Sequence, residues 1–449
     1  MSSHLFRKIS RVVVMLAAFT APATAAKYIL ALNTGANISQ VDARHGLVLV
    51  RSLSEDSHTV FLVTGPDPAP PQFLEQVRED PAVHAFEPDV EVVSHETPPT
   101  SKPIIDLTAL TAAIQNHSAL NYYGATVRAS YVQQPSAALI ELPAALSSFG
   151  DGSTIVAVID TGVDPNHPAL KGILVPGYDF TRNQPGYASE LADLSQSTVA
   201  ILDQSTVAIL DSKKYPMVLN QSTVAILDQS TVAILDGPKL PSDFGHGTMV
   251  SGLIHLVAPG ARIMPLKAFS SDGSANLSDI VRAVYYAVDN GAKVINMSFS
   301  SLTQSPSVIA AMQYAWSHKV ICIASAGNDG KKEIVYPAGD QGVIGVGSTN
   351  DQDHRSFFSN YGERLVRIAA PGEALITTYP GNNYAGVWGT SFSTALTSGG
   401  VALLLQLSPR GQIEELGDIL EHGHKLDIDG MGDSRLDVLA MLQYYQLHK

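Results

Sequence analysis

One cysteine, Cys322, stands in a chain of 449 residues. It can close no intramolecular disulfide and build no cysteine metal cluster, so if the protein is exported, packing and not crosslinking must stabilise it. Positive charge is also scarce. The 28 Lys and Arg residues face 42 Asp and Glu, a formal charge of −14, and the sequence pI is near 5.4. Such a surface suits neither phosphate backbones nor anionic lipid, so nucleic acid is not an expected partner. Hydrophobic residues make up 45% of the chain, which separates it from disordered compositions and predicts that most of it folds. The length allows one large domain of about 250 to 300 residues with accessory segments, or two to three ordinary domains.

Long apolar runs are missing as well. No stretch approaches 18 uninterrupted apolar residues, so no stable membrane span is expected in the mature chain. At the N terminus Arg7, Lys8 and Arg11 precede an apolar run from Val12 to Phe19, and the small-residue stretch after it contains Ala23-Thr24-Ala25, which fits a cleavage rule. Residues 1–26 therefore read as a secretory signal peptide, and the product as secreted or periplasmic. The competing reading is a membrane anchor, but this run covers only about 12 Å of helix against a hydrocarbon core of about 30 Å.

What is present divides the chain. Residues 27–94 carry strand-length apolar runs and the start of a short helix at Pro71 to Arg78, the pattern of a small α+β module. Residues 95–129 read as a linker, with Thr-Pro-Pro-Thr-Ser-Lys-Pro at its start. From 130 to 449 apolar strand patterns alternate with helix patterns. Runs such as Thr154 to Ile159, Val294 to Met297 and Val320 to Ala324 are separated by Leu277 to Asn290 and Pro306 to His318, with apolar residues at three and four spacing. The fold class expected is α/β, a parallel sheet with helices on both faces, preceded by the α+β module. Ligand sites in such sheets lie at the carboxyl ends of strands.

Four residues stand at or near such ends. Asp160 closes Val-Ala-Val-Ile and opens Asp-Thr-Gly; His246 lies between glycines in Asp-Phe-Gly-His-Gly-Thr; Asn328 sits in Ser-Ala-Gly-Asn-Asp-Gly; Ser391 begins an apolar run after Gly389-Thr390. Alone, each has a plain explanation as turn former, solvated loop residue or helix N-cap. Together they supply every part of an acyl-transfer site.

The segments Val156 to Gly162, His246 to Gly252, Val257 to Ala261, Val294 to Ser298, Ala326 to Asn328, Tyr336 to Ala338, Ala370 to Gly372 and Gly389 to Ser391 strongly resemble the subtilisin-like serine proteases. Residues 27–94 are similar to that family's inhibitory propeptide, especially from Asp80 to Asp89. The resemblance implies Ser391 as nucleophile, His246 as general base and then acid, and Asp160 as the carboxylate that fixes the imidazole tautomer, in the chain order of subtilisin itself. It implies Asn328 and the Ser391 N–H as oxyanion donors; loss of such a side-chain amide costs about 100- to 1000-fold in subtilisin itself. It implies a protein or peptide substrate bound extended between Ser274-Ala275 and Ser298-Phe299-Ser300, and the chain's own propeptide as intramolecular inhibitor. No cofactor is required. Calcium is an option without a clear ligand motif, since Asp427, Asp429 and Asp433 lack the ligand order of a calcium loop and read as an acidic turn.

Two departures from the family pattern stand close to the nucleophile. Phe392 and Ala395 replace the usual methionine and proline, and Ser300 and Ser301 replace glycines beside the first specificity pocket, narrowing or polarising it. Between Asp160 and His246 the octapeptide Gln-Ser-Thr-Val-Ala-Ile-Leu-Asp occurs at 196–203, 204–211, 221–228 and 229–236. An even period keeps one set of residues on one face of a strand, which favours a β arrangement that caps the cleft or docks a partner; a functionally neutral insert is the alternative. Two other functional classes compete. An aspartic protease shares Asp-Thr-Gly but needs a second such motif or a symmetric dimer, and the only near candidate, Asp433-Ser434-Arg435, lacks the glycine. A non-catalytic surface or assembly protein would use the repeats on a protease scaffold, against which the complete set of Asp, His and Ser argues.

Overall fold

Strand β1 (Ala26–Leu32) is buried along almost its whole length, and the pleat explains why. Tyr28, Leu30 and Leu32 join one apolar cluster with Val41, Phe73 and Val77, while Ile29 and Ala31 face the opposite way into a second cluster shared with the body of the protein. The computed structural model that shows this describes residues 25–54, 59–93, 110, 112–113, 115–194, 240–408 and 416–448. Of the expected signal peptide 1–26, residues 1–24 lie outside the described residues and Ala26 already belongs to β1; all four octapeptides also lie outside them.

β1 sits inside a four-stranded antiparallel sheet with β2 (Val48–Ser52), β3 (Val60–Gly65) and β4 (Val83–Pro88), in the order β2-β3-β1-β4. Helices α1 (Ile38–His45) and α2 (Phe73–Arg78) cover its outer face. A short strand β5 (Glu91–Val93) leaves this module for the main body. The linker expected over 95–129 ends early, because Ala119–Tyr122 (β6) and Ala125–Arg128 (β7) form a hairpin. The Tyr122 hydroxyl donates to the Leu256 carbonyl at 2.6 Å, which fixes the hairpin on the protein body.

The main sheet has ten strands, in the order β10-β9-β11-β8-β13-β14-β15-β16-β20-β19. These are β8 (Ile155–Asp160), β9 (Gly177–Asp179), β10 (Gln184–Gly186), β11 (Arg262–Lys267), β13 (Val294–Met297), β14 (Ile321–Ser325), β15 (Val343–Thr349), β16 (Ile368–Pro371), β19 (His424–Lys425) and β20 (Ser434–Arg435). All neighbouring pairs from β9 to β20 are parallel, and only the outermost strands β10 and β19 run antiparallel to their neighbours. Alternation decides which face each side chain joins. Val156, Val158, Ile321 and Ile323 pack beneath helices α3 (His246–Val257), α6 (Thr390–Leu407) and α7 (Val438–His448). Ala157, Ile159, Cys322 and Ala324 face α4 (Leu277–Asp289) and α5 (Pro306–Ser317). Two further strands, β17 (Leu375–Tyr379) and β18 (Asn383–Val387), pair as a hairpin. The two-faced parallel sheet expected from the sequence is the architecture observed.

The body meets the N-terminal module along an edge strand, β12 (Ser274–Asn276), which pairs antiparallel with β5, Ser274 opposite Val93 and Ala275 opposite Val92. Two carboxylates of the module also reach helix N-termini of the body. Asp89 accepts from the Ser278 N–H and hydroxyl at 2.8 and 2.9 Å, and Glu87 from the Ser307 N–H and Ser305 hydroxyl, both at 2.7 Å. Anions are favoured at these positions because the first N–H groups of a helix lack intrahelical acceptors.

Two buried histidines give the body a pH dependence. Burial pushes His167 and His255 down to about 4, so both are neutral in the fold near pH 7 while the unfolded chain takes up protons below about 6.5. Their contribution is complete above about pH 6.5 and is lost as the pH falls through about 4, worth roughly 3 kcal/mol for each by linkage. Urea unfolding should therefore show stability falling over that window, with a smaller fall in His255→Phe, whose ring takes the place of the imidazole lying 5.7 Å from Tyr122. Identical slopes for the two chains would refute the assignment to His255.

Candidate active site

Asp160 is the last residue of β8, buried, with its carboxylate turned toward the start of α3. Its Oδ1 accepts the Thr161 N–H at 2.7 Å. The Nδ1 of His246 lies 2.8 Å from Oδ1 and 3.0 Å from Oδ2. An ionised carboxylate can only accept, so Nδ1 must carry the proton and Nε2 presents a lone pair. His246 is the first residue of α3, and the helix begins tight against the end of β8. A Cβ on Gly247 would lie 2.0 Å from the Gly162 carbonyl oxygen, so only glycine fits there.

Ser391 is the second residue of α6, after Gly389 at φ 143°, in the positive-φ half of the map where glycine alone is comfortable. Its N–H belongs to the first turn of the helix, whose N–H groups have no intrahelical acceptor. Its hydroxyl donates to the Ser298 carbonyl at 3.1 Å, and the Ser298 hydroxyl returns a bond to the Ser391 carbonyl at 3.0 Å. This reciprocal pair locks the segment after β13 to the start of α6. The Phe392 ring is fully buried and lies 5.6 Å from the His246 imidazole, tilted by 48°. The aromatic residue after the serine thus forms a wall for the imidazole.

Asn328 follows β14 in the sheet's next parallel position. Its Oδ1 accepts from both the N–H and the hydroxyl of Thr390, each at 2.9 Å. That orientation places Nδ2 beside Gly389, where a Cβ would come within 3.6 Å. The amide nitrogen therefore faces the turn that carries the serine. Of the expected binding segments, Ser298 bonds the serine directly, Phe299 packs against Phe269 with ring centroids 4.8 Å apart, and the Ser300 Oγ would meet a Cβ on Gly327 at 3.4 Å. Ser300 thus lies beside Gly327, one residue before Asn328. Ser274 and Ala275 are occupied by β5.

Three residues at this site were not singled out from the sequence. Thr390 orients Asn328, though it lay inside a quoted motif. Glu190 is fully buried in the 3-10 turn Glu190–Asp193; its Oε1 accepts from the Thr161 hydroxyl at 2.8 Å and the Thr248 N–H at 3.1 Å, and its Oε2 from the Thr248 hydroxyl at 2.9 Å. Burial pushes its carboxyl up to about 7, against the pull of the Thr161 and Thr248 hydrogen bonds. Lys267, also fully buried, donates to the carbonyls of Thr161 and Phe269 at 2.7 and 2.8 Å and to Asp193 at 2.7 Å. Nothing in their local sequence marks Glu190 or Lys267, because their partners are distant in the chain. Among the described residues no group of three or more His, Cys, Asp or Glu is placed to hold a metal ion.

A family profile described as the subtilase family, peptidase S8, matches residues 151–435. The chain belongs to the subtilase family. A thermophilic serine proteinase from Bacillus sp. (strain AK1) is 32% identical over 275 residues, 59% of this chain and 55% of that one. Thermitase from Thermoactinomyces vulgaris is 30% identical over 275 residues, covering 79% of its length. The subtilase match thus spans little more than half of the Bacillus relative. In structure, fervidolysin from Fervidobacterium pennivorans, a keratinolytic enzyme related to subtilisin, superposes with a TM-score of 0.65 at 21% identity, over 94% of this chain and 61% of that one. That likeness establishes the subtilase fold. No helix among the described residues is long and apolar enough to cross a membrane.

Proposed function

We propose that this subtilase is an exported serine endopeptidase that hydrolyses peptide bonds through an acyl-enzyme and is made as a self-processing zymogen. The observation that carries the reading is the contact between Asp160 and His246 Nδ1, 2.8 Å long, beside a serine at the start of α6. In this reading His246 Nε2 takes the Ser391 proton as Oγ attacks the scissile carbonyl, and Asp160 balances the imidazolium that forms. In the resting chain the Ser391 hydroxyl donates to the Ser298 carbonyl at 3.1 Å, and the reading requires it to give up that bond for His246. The developing oxyanion is met by Asn328 Nδ2 and the Ser391 N–H, donors fixed before substrate arrives. The imidazolium then gives its proton to the leaving amine, and water repeats the cycle on the acyl ester. Every proton transfer uses the chain's own groups, so no cofactor is needed.

Substrate adds as a strand along Ser274-Ala275 and Ser298-Phe299-Ser300. β5 already pairs with the first of these edges, which supports the N-terminal module as an inhibitor that must be cut and displaced. A peptidyl phosphonate ester, which phosphonylates an activated serine by losing its alkoxy or aryloxy group, should stop turnover, whereas a transition-state analogue of the aspartic proteases should not. The reverse pattern would refute the reading.

A further inference from the structure

We propose that Glu190 is a positioning residue for the Asp160–His246 pair, resting on the protease reading above. One buried carboxyl bridges the two elements that carry these side chains. Thr161, which it holds through the hydroxyl, directly follows Asp160 on β8; Thr248, which it holds through N–H and hydroxyl, is the third residue of the helix that His246 begins. The distance between Asp160 and His246 is set by how the end of β8 meets the first turn of α3, and Glu190 bonds to both.

The proton on Thr161 makes the geometry specific. The Thr161 Oγ1 accepts the Gly247 N–H at 3.1 Å and lies 2.8 Å from Glu190 Oε1 but 3.3 Å from Asp160 Oδ1. A hydroxyl has one proton, and the shorter contact assigns it to Glu190. Asp160 Oδ1 already receives the Thr161 N–H and His246 Nδ1. Without the Glu190 acceptor the Thr161 hydroxyl would turn to this oxygen, compete with the imidazole for its charge, and loosen the first turn of α3 at the same time. Both effects fall on the state in which His246 carries the transferred proton, so they lower kcat and leave KM nearly unchanged.

The test compares wild type, Glu190→Ala and Glu190→Gln as full chains, with kcat referred to active sites titrated by a peptidyl phosphonate. Glu190→Ala should lose about ten- to a hundredfold in kcat per titrated site, the scale of a small misplacement in a catalytic pair, with KM within about threefold. Glu190→Gln keeps an acceptor for Thr161 and the Thr248 N–H, and should recover most of that loss. Unchanged kcat per site in Glu190→Ala, with only the yield of titratable enzyme reduced, would assign Glu190 to folding alone and overturn the proposal. A Gln variant as slow as Ala would also overturn it. If the Ala chain does not accumulate, Thr248→Val, which removes the donor to Oε2, serves instead: a several-fold loss of kcat at constant KM supports the proposal and an unchanged kcat refutes it. Wild-type turnover in the same assay separates the two failures, since an inactive wild type would sink the protease reading and not this inference.

Discussion

Replacing Ser391 by Ala is expected to reduce peptide turnover by a factor on the order of 10⁶, the scale known for the triad serine of subtilisin itself, and to leave the N-terminal module attached. The change removes one oxygen from a buried position. It sacrifices the bond from Ser391 Oγ to the Ser298 carbonyl, but keeps the return bond from the Ser298 hydroxyl to the Ser391 backbone, so the fold should survive. The two consequences separate by measurement. Turnover reports the nucleophile in trans, and the masses of the purified chains report it in cis. Wild type should lose residues 27 to roughly 100 with the segment before them already removed, while Ser391→Ala retains the module. Identical masses would argue that another protease performs the cut. Loss of turnover of less than about a hundredfold would remove Ser391 from the nucleophile's role.

Asp160→Asn should cost on the order of 10⁴-fold in kcat near neutral pH, through tautomer and not through shape. The amide is nearly isosteric with the carboxylate and its oxygen can still accept the Thr161 N–H, which now lies 2.7 Å from Oδ1. Its NH₂ group then faces His246 Nδ1. Two donors cannot share that contact, so the imidazole turns a lone pair toward Asn and carries its proton on Nε2, where it cannot accept one from Ser391. Phosphonate labelling of Ser391 should slow in parallel, since labelling needs the same activated hydroxyl, whereas the thermal unfolding midpoint should move little. A variant within tenfold of wild type would mean that Asp160 does not set the imidazole's proton.

The sequence made some of this visible for physical reasons that the structure now shows. α5 begins at Pro306 after Ser305, whose hydroxyl oxygen accepts the Val308 N–H at 3.2 Å, a local capping signal readable from a few adjacent residues. β13 occupies Val294–Met297 and is wholly buried, so it reads as an apolar run broken only at Asn296, whose buried amide bonds the Ser298 and Ser398 hydroxyls, each at 2.9 Å. β4 was less legible because His84 and Glu87 interrupt its apolar residues; Glu87 is buried only because Ser305 and Ser307, more than 200 residues away, give it hydrogen bonds. The hairpin β17–β18 hid for a similar reason. Its Thr377 and Thr378 look like surface residues in sequence, yet their hydroxyls donate to the Met249 and Thr248 carbonyls of α3 at 2.6 and 2.8 Å.

At the site, Asp160, His246, Asn328 and Ser391 could be singled out because glycines and small residues surround them, a local mark of close backbone approach. The functions of Thr390 and Glu190 exist only after folding. Thr390 matters through Asn328 and Glu190 through Thr161 and Thr248, and no spacing rule joins those positions. The octapeptides, expected as a β arrangement beside the cleft, lie outside the described residues. Deleting 196–236 and measuring activity on a folded protein substrate and on a short peptide would test that expectation, since a cap should affect the protein far more.

The central claim is that His246 and Asp160 activate one particular hydroxyl. The direct measurement is to treat wild type and His246→Ala with a peptidyl phosphonate and locate the adduct by peptide mass. The account predicts a single adduct on Ser391 in wild type, formed in step with loss of turnover, and no adduct in His246→Ala on the same timescale. An adduct on another residue, or equally fast labelling of Ser391 without His246, would contradict it.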